Sequence, residues 1–327
     1  MLSIYLMAIP TALIGFLPPH SLIGYWSPIL LCVLRLFQGL SMGGEFTGTM
    51  IFIVESAPKE KKSFWGSWAS SSAVLGLIIG SGIGTLMTVI LSKVELEQWG
   101  WRIPFMISLL GSWIASSLRK DLNESHAVRS RKSMKTLLKI LFTQHMGAVK
   151  RVILADTIVA VGFFIIYTYS AVYLHEVLGH GPVFCSLLGT VSLLLSILIL
   201  PLSGLMGDRY GPQSVMRWSS GTMCLCAVPC FSLFSAAPTF VVALCHMFLS
   251  ILMGSIFAVM PAFLVSMFPK EIRYSGISIA HNICMALLGG SAPHIATSLI
   301  QKTGNTMMPG FLLSAAAFIS FVSLKKR

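Results

Sequence analysis

Charge is what this sequence has least of. Only 10% of its 327 residues are Asp, Glu, Lys or Arg, while 55% are hydrophobic, against about 25% and about 45–50% in an average soluble domain. So small a charged fraction excludes an ordinary water-soluble globule. Acidic residues are the scarcer sign, 11 against 23 Lys and Arg, leaving a formal net charge of +12. That excess would suit a nucleic-acid partner if it formed one patch, but the basic residues lie in loops between apolar runs, so no nucleic acid is expected. Strand-like alternation over about ten positions is missing, which excludes a transmembrane β-barrel. The seven cysteines, Cys32, Cys185, Cys224, Cys226, Cys230, Cys245 and Cys284, are odd in number and nearly all apolar in context. Neither a disulfide framework nor a zinc site fits them, and they read as small packing residues. No phosphate-cradling loop, nucleophile elbow or metal-ligand cluster occurs, so an enzyme or a primary pump loses support and no cofactor is implied. The first 17 residues lack the basic flank of a signal peptide and read as a true span.

What is present is apolar length. Mean hydropathy is +0.82, and runs of about 17–25 apolar residues recur along the chain, as repeated crossing of an apolar layer about 30 Å thick requires. Pro, Gly and charge clusters divide the chain into ten segments: Leu2 to Leu17, Pro28 to Val54, Phe64 to Leu91, Ile103 to Leu118, Val152 to Leu174, Phe184 to Leu205, Met216 to Phe234, Thr239 to Phe268, Ser275 to Ile300, and Met307 to Leu324. Alternate loops carry nineteen basic residues on one side and three, Lys93, Arg102 and Lys302, on the other. The rich side, both termini included, is expected to be cytoplasmic. The longest polar stretch, Arg119 to Arg151, is expected to be a cytoplasmic linker whose charges face water or anionic headgroups. This gives an N-terminal bundle of four spans over 1–118, a linker over 119–151, and a six-span bundle over 152–327.

A repeat is legible. Pro58-Lys59-Glu60 after the second span returns as Pro269-Lys270-Glu271 after the eighth, an offset of 211 residues. Each triplet is followed by a basic residue, Lys62 or Arg273, and by a helix opening near Gly66 or Gly276. Duplicated halves are common in transporters. Applied to the second half, the offset implies a first half beginning about 60 residues before Met1, room for two further spans. The expected architecture is a six-plus-six bundle of which ten helices are here.

The run Arg35-Leu36-Phe37-Gln38-Gly39 with Gly43-Gly44-Glu45, the stretch Trp99-Gly100-Trp101-Arg102-Ile103-Pro104-Phe105, the loop Gly204 to Gly211, and Phe268-Pro269 with Ile272-Arg273-Tyr274-Ser275-Gly276 together resemble the major facilitator superfamily. The resemblance is to its metabolite:proton symporter branch, and most closely to bacterial proline/betaine transporters. It covers essentially the whole chain, entering at the family's third helix. The resemblance implies an all-α, two-bundle membrane fold with ten of the usual twelve helices, a multi-pass location in the bacterial inner membrane, and proton symport of a small zwitterionic or organic-acid solute by alternating access. The competing reading is a non-transporting membrane remnant or partner subunit. Solute identity and oligomeric state are not legible.

Arg35 and Glu45 carry the strongest chemical signal, because each charge near a bilayer centre costs about 2.5–3.5 kcal/mol on insertion scales. Helical spacing nearly superposes Gln38 and Glu45 on one face, with Arg35 about 60° round from Gln38. The expected roles are proton coupling for Glu45 and Arg35, against a polar clasp between helices; the resemblance strengthens Arg35. Substrate-pathway candidates are Arg35, Gln38, Tyr167, Tyr169 and Asn282, since aromatic faces hold quaternary ammonium groups and Asn282 matches the family pattern where His281 does not. Aromatic packing competes for Tyr167, Tyr169 and Tyr173. Gly204, Asp208, Arg209 and Gly211 form a candidate cytoplasmic gate loop, with Asp208 capping a helix or pairing with a base; a simple surface turn is the alternative. The family's usual pair of basic residues is replaced there by Pro212 and Gln213. Asp156, one turn inside its span, is expected to snorkel to the cytoplasmic face. The glycines Gly39, Gly43, Gly44 and Gly48, and Gly76, Gly80 and Gly84, read as close-packing helix faces, and Trp99, Trp101 and Arg102 as interface anchors.

Overall fold

The structure, a computed structural model, describes residues 2–120 and 134–325. The part of the expected linker at 121–133 lies outside the described residues. The helices are α1 Leu2–Gly15, α2 Trp26–Ser56, α3 Lys62–Ile90, α4 Lys93–Gln98, α5 Ile103–Lys120, α6 Met134–Gln144, α7 Met146–Val177, α8 Pro182–Tyr210, α9 Pro212–Ala236, α10 Thr239–Ser266, α11 Arg273–Thr303 and α12 Met308–Ser323. No strand occurs among the described residues. Seven of these helices, α2, α3 and α7 to α11, are long and apolar enough to cross a membrane, and α1 and α12 are shorter apolar helices. In an apolar medium only a helix satisfies every backbone N–H and C=O within one segment.

The residues fall into two compact units. The first comprises Met1–Thr49 and Gly76–Ala127. Within it α1 lies along α5: a Cβ on Gly15 would stand 3.1 Å from Phe105 Cβ and 3.2 Å from the Arg102 carbonyl. Arg102 ties the end of α1 to the start of α5, donating to the Leu17 carbonyl at 3.2 Å and the Gln98 carbonyl at 2.6 Å while lying over the Trp101 ring. Four of the seven glycines expected to pack closely do not do so. Cβ atoms built on Gly39, Gly76, Gly80 and Gly84 meet nothing within 4 Å among the described residues, because small residues permit approach without supplying the attraction that would cause it.

The second unit comprises Met50–Leu75 and Val128–Arg327. Its centre is α10, where Met253, Ile256, Ala258, Val259, Met260 and Leu264 are fully or almost fully buried. Two of its helices are not regular throughout. α7 carries π-helical turns at Phe164–Tyr169 and Tyr173–Val177, and α11 carries one at Met285–Gly289. The end of the expected linker is itself structured: α6 buries Leu137 and Leu141 and leaves Lys135 and Lys139 exposed. Leucines four apart supply a face that packs, so this segment does not simply trail in water.

Candidate functional site

Three polar constellations interrupt the apolar helices. The first, inside the first unit, is built on α2. Arg35 donates through Nη1 to Gln38 Oε1 at 3.3 Å, one helical turn on, and Gln38 Nε2 donates to Thr11 Oγ1 on α1 at 2.6 Å. Thr11 passes its own hydrogen to the Met7 carbonyl at 2.6 Å. The i, i+3 spacing of Arg35 and Gln38 is what makes the pair meet. Arg35 is exposed, Gln38 and Glu45 partly buried. Ten residues of helix separate Arg35 from Glu45, about 15 Å at 1.5 Å per residue. Helix geometry therefore joins Arg35 to Gln38 and Thr11, and sets Glu45 at another depth.

The second lies within the second unit, where the end of α8 meets the start of α3. Both oxygens of Asp208 accept from the first turn of α3: Oδ1 from the Ser63 N–H at 2.6 Å and Oδ2 from the Phe64 N–H at 3.0 Å. Those N–H groups have no partner inside their helix and carry its positive end, so a carboxylate satisfies both needs. The approach depends on two glycines. A Cβ on Gly204 would sit 2.9 Å from Phe64 Cα, and one on Gly207 would sit 2.7 Å from Val259 Cγ1 and 2.8 Å from Ser63 Cβ. The expected gate loop is thus corrected. α8 continues through Tyr210, so Gly204, Asp208 and Arg209 stand on its last turns; only Gly211, at φ +88°, turns the chain into Pro212. Nothing before Gly211 breaks the helix, and the left-handed angle there favours glycine. Arg209 lies over the Tyr210 ring at 5.3 Å. Gln213 donates to the Leu324 carbonyl at 2.9 Å and so ties down the end of α12.

A neighbouring contact in the same unit joins the two proline loops. Glu55, at the end of α2, forms an ion pair with Arg273 Nη1 at the start of α11, and Arg273 Nε also holds the Phe268 carbonyl at 3.1 Å. The loops have one turn geometry, with Lys61 N–H donating to the Pro58 carbonyl at 3.0 Å and Ile272 N–H to the Pro269 carbonyl at 3.2 Å. Arg273 stands out in the sequence as the basic residue after the second triplet, whereas Glu55 does not, since a charge at a span end has no periodic signature.

The third constellation threads α7, α8 and α10. The Tyr167 hydroxyl lies 2.7 Å from Ser196 Oγ and 3.2 Å from the Ser250 carbonyl, while Ser192 Oγ meets His246 Nδ1 at 2.8 Å. Tyr169 is buried, its hydroxyl 3.0 Å from Thr297 Oγ1. Tyr173 is fully buried and donates to the Thr306 carbonyl at 2.8 Å, its ring against Phe231 and Phe234. Asn282 is half-buried and donates to Ser278 Oγ at 3.2 Å. Its neighbour His281 takes a larger part than expected. It is 5% exposed and pairs through Nδ1 with Oδ2 of Asp156 at 2.6 Å. Asp156 is 0% exposed, so it does not snorkel. A carboxylate has too short a stem to reach out from that depth, and an imidazole from α11 meets it instead.

These features define a polytopic α-helical membrane protein with intramembrane charges and helix ends latched by carboxylates. The Major Facilitator Superfamily profile matches residues 1–293 and again 180–324. The proline/betaine transporter of Escherichia coli is 30% identical over 335 residues, covering 98% of this chain and 67% of that protein. A putative proline/betaine transporter of Staphylococcus haemolyticus is 31% identical over 325 residues, covering 98% of this chain and 69% of that protein. Among solved structures, the proton:xylose symporter XylE matches with a TM-score of 0.76 at 16% identity, covering 98% of this chain and 78% of that one. The Escherichia coli fucose:proton symporter FucP matches with a TM-score of 0.69 at 17% identity over 99% of this chain and 82% of that one. The chain belongs to the Major Facilitator Superfamily: it is a multi-pass membrane transporter and not an enzyme.

Proposed function

We propose that this protein is a secondary transporter that moves a small zwitterionic solute of the proline or betaine class together with protons by alternating access. The observation that carries the reading is Arg35: a guanidinium inside a membrane span whose one hydrogen bond among the described residues is to Gln38, leaving donors in a fork suited to a carboxylate. Relatives whose names specify proline and betaine transport support the solute class. Glu45 is the proton carrier in this reading, Gln38 orients Arg35, and Tyr167, Tyr169 and Asn282 in the second unit contribute to the solute path. The 19-to-3 distribution of basic residues supports cytoplasmic termini in a bacterial inner membrane, and makes the Asp208 and Glu55 contacts cytoplasmic latches.

The test is uptake and counterflow in proteoliposomes, with labelled proline and labelled glycine betaine as probes. Glu45→Gln is expected to abolish accumulation driven by a pH gradient while sparing exchange. Arg35→Lys is expected to abolish both, because a point ammonium does not reproduce the guanidinium fork. Uphill, pH-driven uptake by Glu45→Gln would remove Glu45 from the coupling step. A wild-type chain that catalyses neither uptake nor exchange would favour a non-transporting remnant.

A further inference from the structure

Asp156, a fully buried carboxyl group of the second unit, has no part in the proposed solute path or in coupling at Glu45. Its Oδ2 meets His281 Nδ1 at 2.6 Å, whereas its Oδ1 is buried and accepts no hydrogen bond among the described residues. A buried carboxylate oxygen without a partner carries the cost of its lost water uncompensated. Among the described residues His281 is the one salt-bridge partner of Asp156. From α11 comes the Cys284 thiol, which interacts electrostatically with Asp156 and donates to the Ile153 carbonyl at 3.6 Å. From α12 comes the Ser320 hydroxyl, committed to the Ile158 N–H and the Leu154 carbonyl, each at 3.1 Å. The titratable groups of α10 are Cys245, which interacts with Cys230, and His246, which is held by Ser192 and by the Ile166 carbonyl at 3.3 Å. Lys135 and Lys139 of α6 and Lys150 of α7 are exposed, Arg151 half-buried.

The position of the pair is as telling as its chemistry. Asp156 and His281 lie shortly before the π-helical turns of α7 and α11, and the α11 turn packs on α7 where the α7 turn begins: a Cβ on Gly289 would stand 2.8 Å from the Phe164 ring and 3.1 Å from the Ala160 carbonyl. Such turns concentrate at functional sites, where a helix must shift its register without unfolding. A unit change of charge about two helical turns from this contact acts through a low dielectric on both helices.

We propose that Asp156 and His281 form a proton-binding pair in the second unit, loaded and unloaded once per transport cycle. The proton adds to the lone pair of Asp156 Oδ1, the carboxylate becomes a carboxylic acid, and the charge of the pair rises by one; release reverses the step from the same oxygen. The inference rests on the reading of the protein as a proton-coupled transporter and adds a site to the one at Glu45.

Infrared difference spectroscopy of the full chain in lipid nanodiscs, between about pH 5 and about pH 8, tests it without any transport assay. The expected result is a carboxylic C=O band that grows at the acid end, shifts in deuterium oxide, disappears in Asp156→Asn and survives with a changed midpoint in His281→Gln. Superimposable difference spectra for wild type and Asp156→Asn would overturn the proposal, as would a midpoint indifferent to His281→Gln. Should Asp156→Asn not fold, nuclear magnetic resonance of histidine-labelled wild type serves, with the His281 signal identified by its loss in His281→Gln. A His281 signal that moves across the same range supports the pair, and one that stays still refutes it. Glu45→Gln is expected to keep the Asp156 band, so failure of this proposal and failure of the Glu45 reading are separate observations.

Discussion

Replacing Asp208 by alanine removes both acceptors that hold the first turn of α3. The loss can be worked from its parts. An N-terminal capping oxygen is worth about 0.5–2 kcal/mol, and a negative charge at a helix N-terminus adds about 0.3–1 kcal/mol. Asp208 supplies both functions through the Ser63 and Phe64 N–H groups, and being half-buried it is neither fully screened nor fully desolvated. The sum is about 1–3 kcal/mol, a change of about 5–150-fold in the ratio of latched to released states. Asp208→Asn keeps one acceptor oxygen and loses the charge, so it should fall between alanine and wild type. The assay is the labelling rate of Ser63→Cys, a position only 2% exposed, by a water-soluble maleimide in a background without native cysteines. Asp208→Ala should raise that rate by about the factor above and lower the thermal unfolding temperature in detergent. Labelling and melting both unchanged by Asp208→Ala would show that the two short contacts do not hold the end of α8 to α3, and the latch argument would fall.

Further outcomes follow from the same contacts. Gly207→Ala would force its methyl to within 2.7 Å of Val259 and 2.8 Å of Ser63 Cβ; a thermal melt should show destabilisation of about 1–3 kcal/mol, with faster Ser63→Cys labelling. For Glu55 and Arg273, whose side chains are 31% and 14% exposed, a double-mutant cycle through Glu55→Gln and Arg273→Gln should return a coupling energy of about 0.2–1 kcal/mol, and a value of zero would mean the pair is incidental. At the first turn of α4 the Ser92 hydroxyl, helped by the Ser92 N–H, holds the Glu95 carboxyl below its ordinary value. The depressed folded value means that this contact contributes stability above the unfolded value and loses it as pH falls through the folded one. Ser92→Ala should therefore move the Glu95 titration, followed by nuclear magnetic resonance of labelled glutamate, back towards the ordinary carboxylate range.

Much of this protein was legible before any coordinates. Apolar length identifies a membrane span because a helix in hydrocarbon must be apolar on every side, a property of local sequence that needs no partner. Glycine at a left-handed turn followed by proline at a helix start marks Gly211 and Pro212 for the same local reason. The repeated Pro58 and Pro269 turns and the i, i+3 meeting of Arg35 with Gln38 are also short-range, and the structure shows both. The continuation of α8 through Asp208 was missed because glycines at 204 and 207 look like turn residues in sequence, whereas their role is to admit the backbone of α3.

Which polar group meets which depends on long-range packing. Asp208 lies 145 residues from Ser63, and Asp156 lies 125 residues from His281, distances at which neither hydropathy nor periodicity holds any information about contact. Read alone, Asp156 near a span end is free to reach for water, and His281 beside Asn282 is the lesser of two polar residues. Burial reverses both judgements, because a carboxylate sealed from solvent needs a donor and the packing of α11 against α7 brings an imidazole to it. Local sequence sets the medium and most of the helices through the chain's affinity for apolar surroundings, but not the point at which α8 ends. The identity of the latch, and of the buried pair, was settled by long-range packing, which brings together groups whose need for one another is invisible until water has been removed.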